Sequence, residues 1–332
     1  MTAPLTSRGS LPERIASLPK AELHLHLEGS IQPATVCALT ARHGVSMSEE
    51  RVRRNYSYTD FLGFLEAFKW VTSFLREPRD YGLIVHDLAE YLLGENVVYA
   101  EITLSVGVML LRRQSPEKNF AAILRAAEAF ESRGLRLNWV FDAVRQFGAD
   151  SAMRVLDAAQ NAATAKIVAF GIGGDELSVP TAEFRPVYDR AAGLGLRRLM
   201  HAGEVGGPDK IREAVELLGA ERIGHGIAAI HDLALMDLLA DRRVALEICP
   251  GSNLLTGALA KQLNSPKAEI QDHPLPKLLR HGIPVALSTD DPAMFHTTLT
   301  QEYAHAYHAG LTEDELSQLV AMSFDYAFRS AR

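Results

Sequence analysis

Short apolar runs alternate along the chain with longer stretches whose apolar residues recur at helical spacing. The runs predict strands at Ala21–Leu27, Val97–Leu104, Leu135–Asp142, Lys166–Ile172, Arg197–His201, Arg222–His225, Val244–Ile248 and Pro284–Ser288. Between them, amphipathic stretches begin at capping or helix-starting residues. Ser151–Ala163 follows Asp150, Glu183–Leu194 follows Pro180, Lys210–Leu218 follows Pro208 and Leu233–Ala240 follows Asp232. Leu275–Arg280 runs into Gly282, a C-terminal stop. Strand–helix alternation predicts a parallel sheet with helical crossovers, and eight strands predict closure into a (β/α)₈ TIM barrel, an α/β fold.

The alternation is interrupted between the first two strands, where residues 33–96 predict a helical insertion with helices at Tyr58–Leu75 and Asp80–Gly94. The first of these carries Phe61, Phe64, Leu65, Phe68 and Val71 on one face. That stripe reads either as an apolar face packed on the barrel or as an active-site lid, because the insertion follows strand one at the functional end. No low-complexity linker divides residues 1–332, so a single domain is expected.

Composition narrows the function classes. Hydrophobic residues make up 47% of the 332 and charged residues 23%, enough for a full core, and the net charge is −7. A basic run occurs around Arg51, Arg53 and Arg54, which reads as a solvated helix face, so no nucleic-acid polymer is expected as partner. A small nucleoside stays compatible. Cys37 and Cys249 stand far apart, which excludes a disulfide framework and fits a reducing cytosol. The first ten residues carry no apolar leader and no run approaches the ~18 residues of a membrane span, so a cytoplasmic protein without a membrane partner is expected, its oligomeric state open. Cys249 reads as a small buried hydrophobe and Trp70 and Trp139 as packing residues. The scattered histidines, His273 among them, read mostly as surface or packing residues, with His296 near enough to the chemistry to touch a substrate.

In a barrel of this kind the chemistry gathers at the C-terminal strand ends. There the chain places His24-Leu25-His26-Leu27-Glu28-Gly29, His201-Ala202-Gly203-Glu204, Gly224-His225-Gly226 and Ser288-Thr289-Asp290-Asp291-Pro292. Residues two apart on a strand share a face, so His24 and His26 both point to the barrel mouth. With His201 and Asp290 they make a mixed nitrogen–oxygen donor set suited to Zn²⁺, one ion per chain, although iron, cobalt or manganese would accept the same donors. Zinc lowers the pKa of a bound water to about 7. Glu204, just beyond its strand, can serve as a general acid, and its plain alternative is a helix N-terminal acid. His225 and Asp291 can orient and activate the water or simply support the donors.

Together with Pro19–Ser30, Gly173-Gly174-Asp175-Glu176, Arg222-Ile223 ahead of Gly224-His225-Gly226, and Glu247-Ile248-Cys249-Pro250-Gly251-Ser252-Asn253, these segments resemble the ordered motifs of the adenosine/adenine deaminase family, within the metal-dependent amidohydrolases. The resemblance spans roughly residues 18 to 325. It implies zinc ligation by His24, His26, His201 and Asp290, protonation of purine N1 by Glu204, and a place beside the attacking hydroxide for His225. It also implies contact of Asp291 with purine N7 and the hydroxide, and donation from the Gly174 backbone to purine N3. Glu28 matches a position that faces the ribose 5′-hydroxyl, where nucleoside-specific members carry Asp, and a longer acid resembles the adenine-specific branch. Gly173–Glu176 and Asp290–Phe295 look more like the nucleoside branch, and Gly173–Phe184 is similar to bacterial aminodeoxyfutalosine deaminases. The implied reaction is hydrolysis of the 6-amino group of adenosine, of a 5′-modified adenine nucleoside such as aminodeoxyfutalosine, or of adenine.

Other readings compete. Two-metal hydrolases of related barrels use a carboxylated lysine at the end of strand four, but here Lys166 stands at the start and glycines at the end. A non-catalytic binding protein would have lost a ligand or the acid, and none is lost. Cytidine-type deaminases need Cys-x-x-Cys, which is absent.

Overall fold

The computed structural model describes residues 10–58 and 60–328. Most of the N-terminal stretch read for a leader therefore lies outside the described residues. Eight parallel strands stand in sequence order: β1 (Lys20–His26), β2 (Val97–Leu104), β3 (Arg136–Val144), β4 (Ile167–Gly173), β5 (Arg197–Ala202), β6 (Arg222–His225), β7 (Ala245–Ile248) and β8 (Val285–Leu287). Each pairs with the next, and helices fill the crossovers, as the alternation predicts.

Two strands differ from the sequence reading for identifiable reasons. β3 runs on to Val144 because Asp142, Ala143 and Val144 pair with Gly171, Ile172 and Gly173. β8 loses both ends. Pro284 has no N–H to give a ladder, and Ser288 meets β1 through its side chain, whose Oγ accepts from His24 N at 3.1 Å. The β8–β1 seam closes one step later, where Asp290 bridges Leu25: His26 N donates to Asp290 O at 2.8 Å and Asp290 N to His24 O at 3.0 Å. A motif residue thus closes the barrel.

Among the described residues, the long connection after β1 holds four α-helices, Pro33–Arg42, Glu49–Asn55, Phe61–Thr72 and Pro78–Gly94. The last packs on β2 and on the helix Pro116–Glu131, and so takes a place in the outer ring. The Arg51–Arg54 run lies on the second and is tied to its own acids, Glu49 and Glu50.

The barrel interior is unusually polar. The register of β1 shifts between Glu22 and Leu25, so strict alternation is interrupted there, and His26 then stands opposite Thr103 of β2. Glu101, Arg222 and Glu247 are all fully buried. Such charges are stable only when paired, and here they are. Arg222 Nη2 meets Glu101 Oε2 and its Nε meets Glu247 Oε1, both at 2.6 Å. The end of the described chain completes the cage, because Tyr326 O accepts from Arg222 Nη1 at 2.8 Å and the Phe328 ring lies 3.6 Å from the guanidinium. Arg222→Met strands two buried carboxylates and should cost about 3–5 kcal/mol of stability. Chemical denaturation measures this, and an unchanged midpoint would contradict the cage.

Candidate metal and acid–base site

The strand ends bring the expected side chains together. His24 and His26 end β1, His201 sits on β5, His225 ends β6, and Asp290 and Asp291 follow β8. Ligand atoms of His24, His201, His225 and Asp290 lie within 4.8 Å of one another, and His26, Asp290 and Asp291 form an overlapping group. Asp290 is the hub. Its Oδ1 lies 3.5 Å from His24 Nε2 and 3.3 Å from His26 Nε2, and its Oδ2 lies 3.8 Å from His225 Nε2 and accepts from Ser252 Oγ at 2.7 Å. His225 and Asp290 both hold left-handed backbone, φ 61° and 67°, a conformation that non-glycine residues adopt at a cost and that gathers at functional sites.

The donor chemistry fits a metal ion. His24 Nδ1 lies 2.6 Å from Glu247 Oε2, so that nitrogen donates and Nε2 is the nitrogen that can turn a lone pair to a metal. Nε2 is buried and has no hydrogen-bond partner. A carboxylate behind an imidazole is the arrangement that holds a metal-binding histidine in place. Arg222 holds that carboxylate in turn, so the cage reaches from the barrel floor to the donors.

Charge and burial set the protonation pattern. Burial alone would push His24 down, yet Asp290 and Glu247 outweigh it and hold it near 10, a proton that a metal would displace. Burial lowers His26 to about 4 and takes His201 well below the usual histidine range. Asp290 resists its burial because His24, His225 and His26 surround it, and it stays well below the ordinary carboxylate range. Asp291 goes the other way, raised by burial and then by the charge on Asp290. Burial, and after it Asp290, lifts Glu204 to about 8.

Glu204 is aimed by its neighbours. The Glu176 carboxylate accepts from the backbone N–H groups of Gly203, Val205 (3.0 Å) and Gly206 (2.9 Å), which pins the loop after β5 to the loop after β4. Glu204 Oε2 then lies 3.7 Å from His225 Nε2. Gly29 matters for space, because any side chain there would collide with the Asp291 carboxyl. Gly174 has φ 96°, which favours glycine, and a Cβ there would press on Gln146 Oε1 at 2.5 Å.

These groups share a cavity of about 290 Å³. His26, His201, His225, Glu204, Asp290, Asp291 and Gly174 line its floor, and Phe61, Phe64, Leu65, Phe68, Val108 and Phe147 its wall. The aromatic stripe of the insertion therefore walls the cavity while Val71 packs inward. A larger open depression of about 600 Å³ beside Ala163 and Leu194 lies at the opposite barrel end, away from all of these groups.

Two anticipated residues stand apart. Glu28 does not line the cavity: it is buried and accepts from Ser105 N at 3.2 Å, and Ser105 is the residue that lines it. Burial raises Glu28 to about 7. His296 is exposed and bonds Tyr56 O at 3.1 Å, while Phe295 lines the cavity in its stead. Lys166 pairs with Glu131 at the surface, and Cys249 is buried with its thiol pushed well up by burial.

Sequence reasoning gave no role to Glu247, Arg222, Asn253 or His273. The available signal was a charge inside an otherwise apolar strand, as in Val244-Ala245-Leu246-Glu247-Ile248. Of the two readings given for the scattered histidines, surface and packing, His273 takes the second: it is buried and bonded to Asn253.

Comparison with known proteins agrees with this architecture. The model of the family described as adenosine deaminase matches residues 19–332. An aminodeoxyfutalosine deaminase of Streptomyces avermitilis is 37% identical over 96% of this chain and 88% of its own. An adenine deaminase of Streptomyces coelicolor is 36% identical over 95% of this chain and 92% of its own. Among solved structures, adenine deaminase from Arthrobacter aurescens superposes with a TM-score of 0.86 at 31% identity, covering 93% of this chain and 94% of that one.

Proposed function

The chain belongs to the adenosine deaminase family, and we propose that it hydrolyses the 6-amino group of an adenine nucleoside, giving the 6-oxo purine and ammonia. The observation that carries the reading is the convergence of one donor set and one buried acid on a single cavity. His24, His26, His201 and Asp290 are the residues that would hold one Zn²⁺. A zinc ion bound there supplies Lewis acidity and a water more acidic than bulk water.

The protein's own groups do the rest. Glu204, protonated through its burial, donates to ring nitrogen N1 as water adds at C6. The carboxylate so formed accepts the proton the water gives up and passes it to the departing amino group. That group leaves as ammonia as the C6 hydroxyl returns its proton to Glu204. Asp291, also held protonated, can donate to N7, which an ionised carboxylate could not. The Gly174 N–H donates to N3, and His225 faces the oxygen side between Glu204 and Asp290. The aromatic wall excludes water and takes the remainder of the substrate. Such a site suits a small molecule rather than a polymer, and the described residues contain no helix long and apolar enough to cross a membrane.

Adenosine and an adenine nucleoside enlarged at the 5′ end are the favoured substrates, the second supported by the aminodeoxyfutalosine deaminase relative. Adenine itself is the second reading. It is favoured by the withdrawal of Glu28 from the cavity, which leaves that acid with no sugar hydroxyl to meet. Loss of adenine-ring absorbance with adenosine, adenine and a bulky 5′ nucleoside, run side by side on zinc-loaded protein, ranks the three. Turnover of a nucleoside above adenine supports the first reading, adenine above both supports the second, and no turnover of any overturns the proposal.

The acid also sets a pH dependence. Glu204 must be protonated to donate, so kcat/KM should fall as pH rises through its pKa, at about 8 or lower once a nearby dication draws it down. A rate that climbs through that range would contradict the role of Glu204 as acid.

A further inference from the structure

His225 lies close enough to the other donors to be counted among them, yet its hydrogen bonds say otherwise. The Leu275 backbone N–H, which can only donate, points at His273 Nδ1 at 3.1 Å. His273 Nδ1 is therefore an acceptor, and the ring's proton is on Nε2. His273 Nε2 lies 3.2 Å from Asn253 Oδ1 and donates to it. With its oxygen so engaged, Asn253 turns its amide Nδ2 to His225 Nδ1 at 3.1 Å. An amide nitrogen can only donate, so His225 Nδ1 accepts and its own proton is on Nε2. All three side chains are buried, so no outside water is needed to complete the chain.

We propose that Asn253 and His273 form a polarity relay that fixes the proton of His225 on Nε2. A nitrogen that carries a proton cannot ligate a metal, so the relay removes His225 from the donor set and leaves His26 to complete it. It also leaves His225 as a hydrogen-bond donor in the resting site, its N–H facing Glu204 Oε2 at 3.7 Å and Asp290 Oδ2 at 3.8 Å. His24 is wired in the opposite sense, because the Glu247 carboxylate can only accept and so takes the proton onto Nδ1. Two imidazoles whose rings lie 5.0 Å apart thus present opposite faces to one centre, one a lone pair and one an N–H. An amide backs one and a carboxylate the other. Asn253 and His273 are positioning residues, since neither lines the cavity.

The test reads the proton directly. In zinc-loaded protein labelled with ¹⁵N-histidine, ring correlation spectra distinguish the two tautomers, and the His225 signal is assigned by its loss in His225→Gln. Wild-type protein should show Nδ1 bare and Nε2 protonated. Asn253→Asp puts an acceptor where the amide donated, so the pattern should invert, with kcat about 10²-fold lower and KM little changed. Asn253→Ala removes the bias without reversing it and should fall between the two. A wild-type spectrum with Nδ1 protonated overturns the relay outright, whether or not the variants fold. So does an Asn253→Asp protein that keeps the wild-type pattern. The kcat comparison rests on the deaminase reading and the spectra do not, so failure of one is distinguishable from failure of the other.

Discussion

Glu204→Gln should retain zinc and lose about 10²–10⁴-fold in kcat. Gln keeps the shape and can still donate a hydrogen bond, but it has no proton to give up to a ring nitrogen. The backbone around it is held by Glu176 and by Gln262 Nε2, which donates to Glu204 O at 2.8 Å, so the loop should stay in place. The effect should therefore fall on the chemical step while KM changes little. Metal analysis beside steady-state kinetics checks both halves. Near-normal kcat would remove Glu204 from the role of acid, and loss of zinc would show that it acts on the metal instead.

His24→Ala should be still more damaging. It deletes the buried Nε2 that has no other partner and frees Glu247 Oε2 from its 2.6 Å contact. Arg222 remains paired with that carboxylate, so the fold should survive at a cost of roughly 1–3 kcal/mol for the lost buried hydrogen bond. The metal should not survive. Zinc content after dialysis should drop well below one per chain, and turnover should disappear with it. Full zinc content in the dialysed variant would take His24 off the donor list.

The sequence made the frame legible because a barrel repeats one simple pattern. Short apolar runs alternate with amphipathic helices, and every strand was found with ends shifted by two residues at most. The convergence of the candidate donors was legible for a related reason: strand ends of a barrel converge, so His24, His26, His201 and Asp290 could be placed together without knowing the register. What stayed hidden depends on pairing across the lumen. Arg222 and Glu247 are neighbours because β6 and β7 pair with Arg222 opposite Ala245, a register that no local pattern announces. Glu101 reaches the same guanidinium from β2 across the barrel. Asn253 lies in a short helix and His273, twenty residues on, in a loop, and only the fold makes them neighbours. Glu28 is the opposite case. Its place beside the catalytic motif suggested a substrate contact, but its carboxylate turns to the Ser105 N–H instead.

The central claim is that a zinc ion held by these four residues and a buried acid together release ammonia from an adenine ring. Ammonia formed from an adenine nucleoside by chelator-stripped protein, before and after one equivalent of zinc, tests it most directly. The account predicts no turnover without metal and full recovery at one zinc per chain. Turnover by the stripped protein, or zinc taken up stoichiometrically with no ammonia from any adenine compound, would contradict it.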